Sequence, residues 1–180
     1  MSLGAVDEPV VARAAEHPLL ILYARSAGRP RGAVFATGGF LVQASASYRA
    51  LIPGAKGELS LDPSLGLVSE EGLSLGLWGS LLWGRCLALG AHPAPGSADD
   101  QGGAAKVWLT SPRRLAQRLA DSEGSLGFTC IACSGEPLSP RIVRDAAKRV
   151  AGPEQVLNLW SQTEAGGALL FTRPLLALNR

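Results

Sequence analysis

Two short polar segments carry the residues best suited to chemistry. Ser134-Gly-Glu-Pro137 and Asn158-Leu-Trp-Ser-Gln-Thr-Glu-Ala-Gly-Gly167 each follow an apolar, strand-like run. Both therefore fall at the carboxyl end of a strand, the ligand edge of an open α/β sheet. Gln162, Thr163 and Glu164 offer an amide, a hydroxyl and a carboxylate in sequence, beside Gly166 and Gly167, which read as flexible. Such a set can bind a nucleotide phosphate and the magnesium that accompanies it. Taken alone, each segment reads equally as an ordinary polar turn with a capping threonine. A third candidate is Ala24-Arg-Ser-Ala-Gly-Arg-Pro-Arg-Gly32. Its turn would expose neighbouring N–H groups to an anion, and Arg25, Arg29 and Arg31 add forked donors. On composition alone it is a solvated basic turn, and it lacks the Gly-x-x-x-x-Gly-Lys-Ser/Thr pattern of a phosphate-binding loop.

Other chemistries fit poorly. Cys130 and Cys133 have redox or metal spacing, but residues i and i+3 of a strand point to opposite faces, so they read as core cysteines. The two histidines, His17 and His92, each precede a proline in unrelated segments, which offers neither a zinc set nor a Ser-His-Asp triad. No Gly-x-Ser-x-Gly elbow is present.

The elements that must position these groups follow from pattern. Pro18–Tyr23 reads as a buried strand, Ala33–Ala36 as a second, and Gly39–Ile52 as a helix with Leu41, Ala44, Tyr48 and Leu51 on one side. Residues 54–72 are ambiguous, and Gly72–Gly90 is apolar all round, as in a buried helix or a pair of turns. Residues 92–105 form a surface loop by composition. Strands are expected at 106–110, 128–133, 156–160 and 168–172, with helices opened by Ser111-Pro112 and Ser139-Pro140. Strands alternating with helices imply an α/β fold, a mostly parallel sheet flanked by helices.

The 180 residues allow one ordinary domain, and at 47% hydrophobic and 18% charged they can bury a core. A net charge of +2, from 17 basic against 15 acidic residues, is no nucleic-acid footprint. Leu73–Ala91 is broken by Gly76, Gly79, Gly84 and Arg85, so it falls short of the ~18 apolar residues of a membrane span. Three cysteines and no charged-then-apolar start point to a reducing compartment, the cytoplasm or a mitochondrial matrix.

In order and approximate spacing, Pro18-Leu-Leu-Ile-Leu-Tyr, Gly-Arg-Pro-Arg-Gly32, Gly38-Gly-Phe-Leu, Gly135-Glu-Pro-Leu-Ser-Pro and Trp160-Ser-Gln-Thr-Glu-Ala-Gly-Gly resemble the AMP-forming acyl-CoA synthetases (adenylate-forming ligases), acetyl-CoA synthetase in particular. The resemblance implies a partial large domain: residues 1–17 an extension, 18–173 a partial AMP-binding domain divided by loop 92–105, and 174–180 a tail. It implies ATP and CoA as co-substrates, Mg²⁺, and a small carboxylate as the acid. Gly135, Glu136 and Pro137 would line the adenine. Asn158, Leu159, Trp160, Ser161, Gln162 and Thr163 would wrap the nucleotide, with Thr163 on phosphate and Glu164 on magnesium. Ser26, Gly28 and Arg31 would steady departing pyrophosphate. Leu73, Ser74, Leu75 and Ser161 would line the acyl pocket. The adenylation lysine and the small carboxyl-terminal domain of the family are expected beyond Arg180, which leaves no catalytic residue in the chain and predicts that it does not complete the ligase reaction alone. The alternative is a non-catalytic remnant serving as a nucleotide-binding or protein-interaction module. Acetate-using relatives have a second tryptophan where this chain has Ser161, so the resemblance predicts room for acids longer than acetate unless Leu73 and Leu75 refill it; a hydroxyl there would instead suit a polar acid.

Overall fold

The computed structural model describes residues 11–24, 31–52, 57–90, 105–150 and 155–172. Eight strands and four α-helices follow in the order β1 (Pro18–Ala24), β2 (Arg31–Ala36), α1 (Thr37–Leu51), β3 (Gly57–Leu61), α2 (Ser80–Leu82), β4 (Cys86–Leu89), β5 (Ala105–Thr110), α3 (Pro112–Asp121), β6 (Cys130–Cys133), α4 (Pro140–Ala147), β7 (Val156–Gln162) and β8 (Gly167–Thr172). A π-helix over Gly72–Gly79 runs directly into α2, and a short 3-10 turn, Thr163–Ala165, joins β7 to β8. Strands β1 and β2 form an antiparallel hairpin. The main sheet has six strands in the order β4-β3-β5-β6-β7-β8, parallel from β4 to β7, with β8 antiparallel at its edge.

The central strands β5, β6 and β7 are covered on both faces, and the side-chain period of two divides each between two cores. Val107, Leu109, Cys130, Ala132, Leu157 and Leu159 meet Tyr48 and Leu51 of α1 and Leu75 of the π-helix. Trp108, Ile131, Cys133 and Val156 meet Leu115 of α3 and Val143 and Ala146 of α4. Cys130 and Cys133 thus lie on opposite faces of β6, both buried and neither in a disulfide. On the second face Trp108 stacks on Phe128 with ring centres 5.3 Å apart.

Helices α3 and α4 begin as their sequences dictate. Ser111 accepts from the N–H of Arg114 and Ser139 from that of Ile142, each with proline inside the first turn, where a missing N–H costs no helical bond.

Three expectations need correction. Pro18–Ala24 is a strand but not a buried one: in a two-stranded hairpin only one face packs, so Leu22 is buried while Ile21 and Tyr23 are exposed. Residues 54–72 hold strand β3, whose short alternation Glu58-Leu-Ser-Leu61 is obscured by the turn-rich residues around it. The apolar stretch from Gly72 is a π-helix and one α-turn followed by strand β4, not one helix. The expected loop at 92–105 lies, but for its last residue, outside the described residues. No described helix is long and apolar enough to cross a membrane.

Candidate nucleotide and acyl site

Parallel pairing of β6 with β7 places Cys133 beside Asn158, so both strands release their next residues at the same sheet edge. Ser134 leaves β6 there, fully buried, and its N–H donates to the carbonyl of Thr110 at the end of β5. Ser161 arrives from β7 just past a register shift between Trp160 and Ser161, which re-aims its side chain. The two hydroxyl oxygens stand 3.5 Å apart. The sequence segments 134–137 and 158–164 are therefore one site.

The structure adds two residues that the motifs did not include. Glu70 and Glu71 immediately precede the π-helix and reach into this edge. Ser134 Oγ and Ser161 Oγ both donate to Glu71 Oε1 through short contacts. Ser161 Oγ also lies 3.4 Å from Glu70 Oε1, and Thr163 Oγ1 lies 3.4 Å from Glu70 Oε2. Glu71 is only 4% exposed. The available signal was two consecutive carboxylates at the head of an otherwise apolar stretch, where a solvated turn would not require them.

Each predicted residue has a definite place. Gly135, Glu136 and Pro137 are exposed just beyond Ser134, with Gly135 at φ 91°. Asn158 is half-buried, Trp160 and Gln162 are exposed, and Thr163 and Glu164 occupy the 3-10 turn, Glu164 exposed. Leu159 points into the core, which leaves only its backbone for a ligand. Leu73 is half-buried. Ser74 and Leu75, expected to line a pocket, are fully buried: Ser74 donates to the carbonyl of Glu70 at 2.6 Å, and Leu75 packs in the core. Leu75 thus faces the core, while Ser74 stands against Gly167 at the β8 corner. Arg31 is exposed at the start of β2, whereas Ser26 and Gly28 lie outside the described residues.

Gly166 and Gly167 are not the flexible pair that the sequence suggested. Both are buried, at φ 74° and 147°, conformations that L side chains rarely adopt. A Cβ on Gly166 would stand 2.9 Å from the Phe35 ring, and one on Gly167 2.9 Å from Ser74 Cβ. They make a tight corner that returns the chain into β8, whose Ala168 carbonyl accepts from Gln43 and Ser47 of α1.

For magnesium, the donors near Thr163 are hard oxygens: the exposed Glu164 carboxylate, the Glu70 carboxylate and the Thr163 hydroxyl. Such a set suits an ion that keeps several waters and takes one or two carboxylates beside phosphate oxygens. Among the described residues no cluster of three or more His, Cys, Asp or Glu forms a closed metal cage.

No family model matches the chain. An acetyl-coenzyme A synthetase of Methylorubrum extorquens is 30% identical over 184 residues, 92% of this chain and 28% of that protein. That of Shewanella oneidensis is 28% identical over 89% of this chain and 27% of its own length. The chain thus spans little more than a quarter of these curated relatives. In fold it is similar to the O-succinylbenzoate coenzyme A synthetase of Bacillus subtilis, solved in complex with AMP, with a TM-score of 0.72 at 17% identity over 93% of this chain and 34% of that one. The inhibitor-bound N-terminal domain of FACL13 from Mycobacterium tuberculosis gives 0.74 at 19% identity, over 97% of this chain and 44% of that one. In sequence the chain is thus similar to part of the acetyl-coenzyme A synthetases, and its mostly parallel α/β fold is similar to part of these adenylate-forming enzymes.

Proposed function

We propose that this chain supplies the adenine-nucleotide and acyl-binding part of an acid–thiol ligase of the AMP-forming type. The observation that carries the reading is the meeting of Ser134 and Ser161 at one sheet edge, which joins the Gly-Glu-Pro and Gln-Thr-Glu segments into a single polar site. In that reading Gly135, Glu136 and Pro137 line the adenine, and residues Asn158 to Thr163 wrap the nucleotide. Trp160, exposed beside Leu170 of β8, offers an aromatic face to it. The Thr163 hydroxyl turns from Glu70 to phosphate. Glu164 holds magnesium, which when bound neutralises phosphate charge. Ser26, Gly28 and Arg31 steady pyrophosphate as it leaves.

The reaction proposed is two displacements. A carboxylate oxygen attacks the α-phosphorus of ATP, the bond to the β-phosphate breaks, and pyrophosphate leaves with the electron pair. The thiol sulfur of CoA then attacks the acyl carbon of the adenylate, loses its proton to solvent, and AMP departs. The role of the described residues is to bind and orient these reactants at the ends of β6 and β7, which lowers the entropic part of the barrier.

Titration calorimetry of the full chain with AMP, and with ATP in the presence and absence of magnesium, tests this. Saturable binding of AMP, and of ATP with magnesium, is expected. Absence of heat with either nucleotide, from a chain whose circular dichroism shows it folded, overturns the reading.

A further inference from the structure

Two acidic side chains are buried among the described residues, and they are treated differently. Asp62, 2% exposed, has the Arg114 guanidinium 3.6 Å from its Oδ2. Glu71, 4% exposed, has no cation within ion-pair distance among the described residues. Among the described residues its hydrogen bonds come from Ser134 and Ser161, and both go to Oε1. Oε2 accepts none from the described residues. A carboxylate removed from water is ordinarily paired, because hydroxyl dipoles replace only part of its hydration. A second carboxylate adds to the imbalance: Glu70 Oε1 lies 3.4 Å from the same Ser161 hydroxyl.

The location gives this imbalance a meaning. Ser161 is where the acyl group is placed in the adenylation reading, and Glu71 stands directly behind its hydroxyl. We propose that Glu71 makes this an amino-acid pocket: the acyl substrate carries an ammonium group that binds Glu71 Oε2, while its own carboxylate points towards the nucleotide. The inference rests on the adenylation reading and names its substrate class. Like-charge repulsion from Glu70 and Glu71 disfavours a dicarboxylic acid. A plain alkyl chain laid on Glu71 would desolvate the carboxylate further and return no hydrogen bond. An ammonium group supplies both the counter-charge and the missing donors.

Matched acyl-adenylate mimics isolate the effect, because each pair shares one nucleotide. The probes are the glycyl and acetyl, and the β-alanyl and propionyl, sulfamates of adenosine, titrated into the full chain beside AMP. In at least one pair the amino compound is expected to bind tenfold tighter or better, and Glu71→Gln is expected to cut that ratio below threefold. Equal or weaker binding of the amino compound in both pairs overturns the inference while AMP binding leaves the nucleotide site standing. A ratio that survives in Glu71→Gln overturns the assignment to Glu71. If neither AMP nor any sulfamate binds, the adenylation reading and this inference fall together. The wild-type comparison needs no variant, so a folding defect in Glu71→Gln does not remove the test.

Discussion

The hydroxyl of Ser161 donates to the carboxylate of Glu71, ninety positions earlier in the chain. That bond ties the end of β7 to the start of the π-helix and gives the candidate acyl pocket a charged wall. The space that a bulky residue would otherwise occupy at position 161 is bounded by a buried acid, not by the Leu75 side chain, which belongs to the core.

Leu75 therefore offers a clean separation of stability from binding. Truncating Leu75 to Ala, a fully buried side chain, is expected to destabilise the chain by about 2–5 kcal/mol through lost burial and the cavity left behind. Denaturant midpoints measure the loss. Affinity for AMP, read well below the melting temperature, should stay within about threefold of wild type.

The corner at Gly167 is the second point of tension. Gly167→Ala forces an L side chain to φ 147° and drives its Cβ against Ser74. A cost of about 1–3 kcal/mol is expected. Because Ser74 follows Glu71 in the same turn of chain, Gly167→Ala is also expected to weaken nucleotide binding, whereas Gly84→Ala, at an exposed turn with open space around it, should not. Thermal melts and calorimetry on the two variants decide between a local and a shared effect.

Alkaline stability follows from two buried groups. Burial pushes the Cys133 thiol up to about 12, with Cys130 adding to the rise, and burial also raises the Tyr48 phenol above its usual 10.0. Both ionise at lower pH in the unfolded chain, so the folded state binds more protons above pH 9.0, and stability falls as pH rises from there towards about 12. Below that window the contribution is complete. Urea midpoints at about pH 7, 9 and 10.5 should decline across the last interval, and Cys133→Ala should flatten the decline. In the native chain a thiol reagent should label the exposed Cys86 quickly and the buried Cys130 and Cys133 only after unfolding.

Nucleotide affinity should respond to the 3-10 turn. Thr163→Ala and Glu164→Gln are expected to weaken ATP binding by about 3–30-fold, the second only when magnesium is present. Cys130→Ser, on the core face of β6, should leave it unchanged at temperatures where the variant is folded. Equal affinities in all three variants would make residues 162–164 a plain turn.

Much of the fold was legible in the order of the residues. Serine followed by proline placed the starts of α3 and α4, since capping depends on residues within one helical turn. The apolar runs at 106–110, 128–133 and 156–160 marked strands of the parallel sheet to within two residues, and the spacing of Cys130 and Cys133 put them on opposite faces. The family motifs placed the candidate site at the ends of β6 and β7, where the structure brings Ser134 and Ser161 together. Strand β3 escaped because its alternation is short and flanked by turn-rich residues, and strand β4 because the glycine-interrupted apolar stretch before it suits a helix as well as a strand. It took the three-dimensional arrangement to show that Glu70 and Glu71 face Ser134, Ser161 and Thr163, that Leu75 turns into the core and Ser74 against Gly167, and that Gly166 and Gly167 are pinned and not free. Those facts depend on sheet order and on the register of β6 with β7, which bring together residues some 60 to 90 positions apart, and no local preference of the backbone encodes such distances.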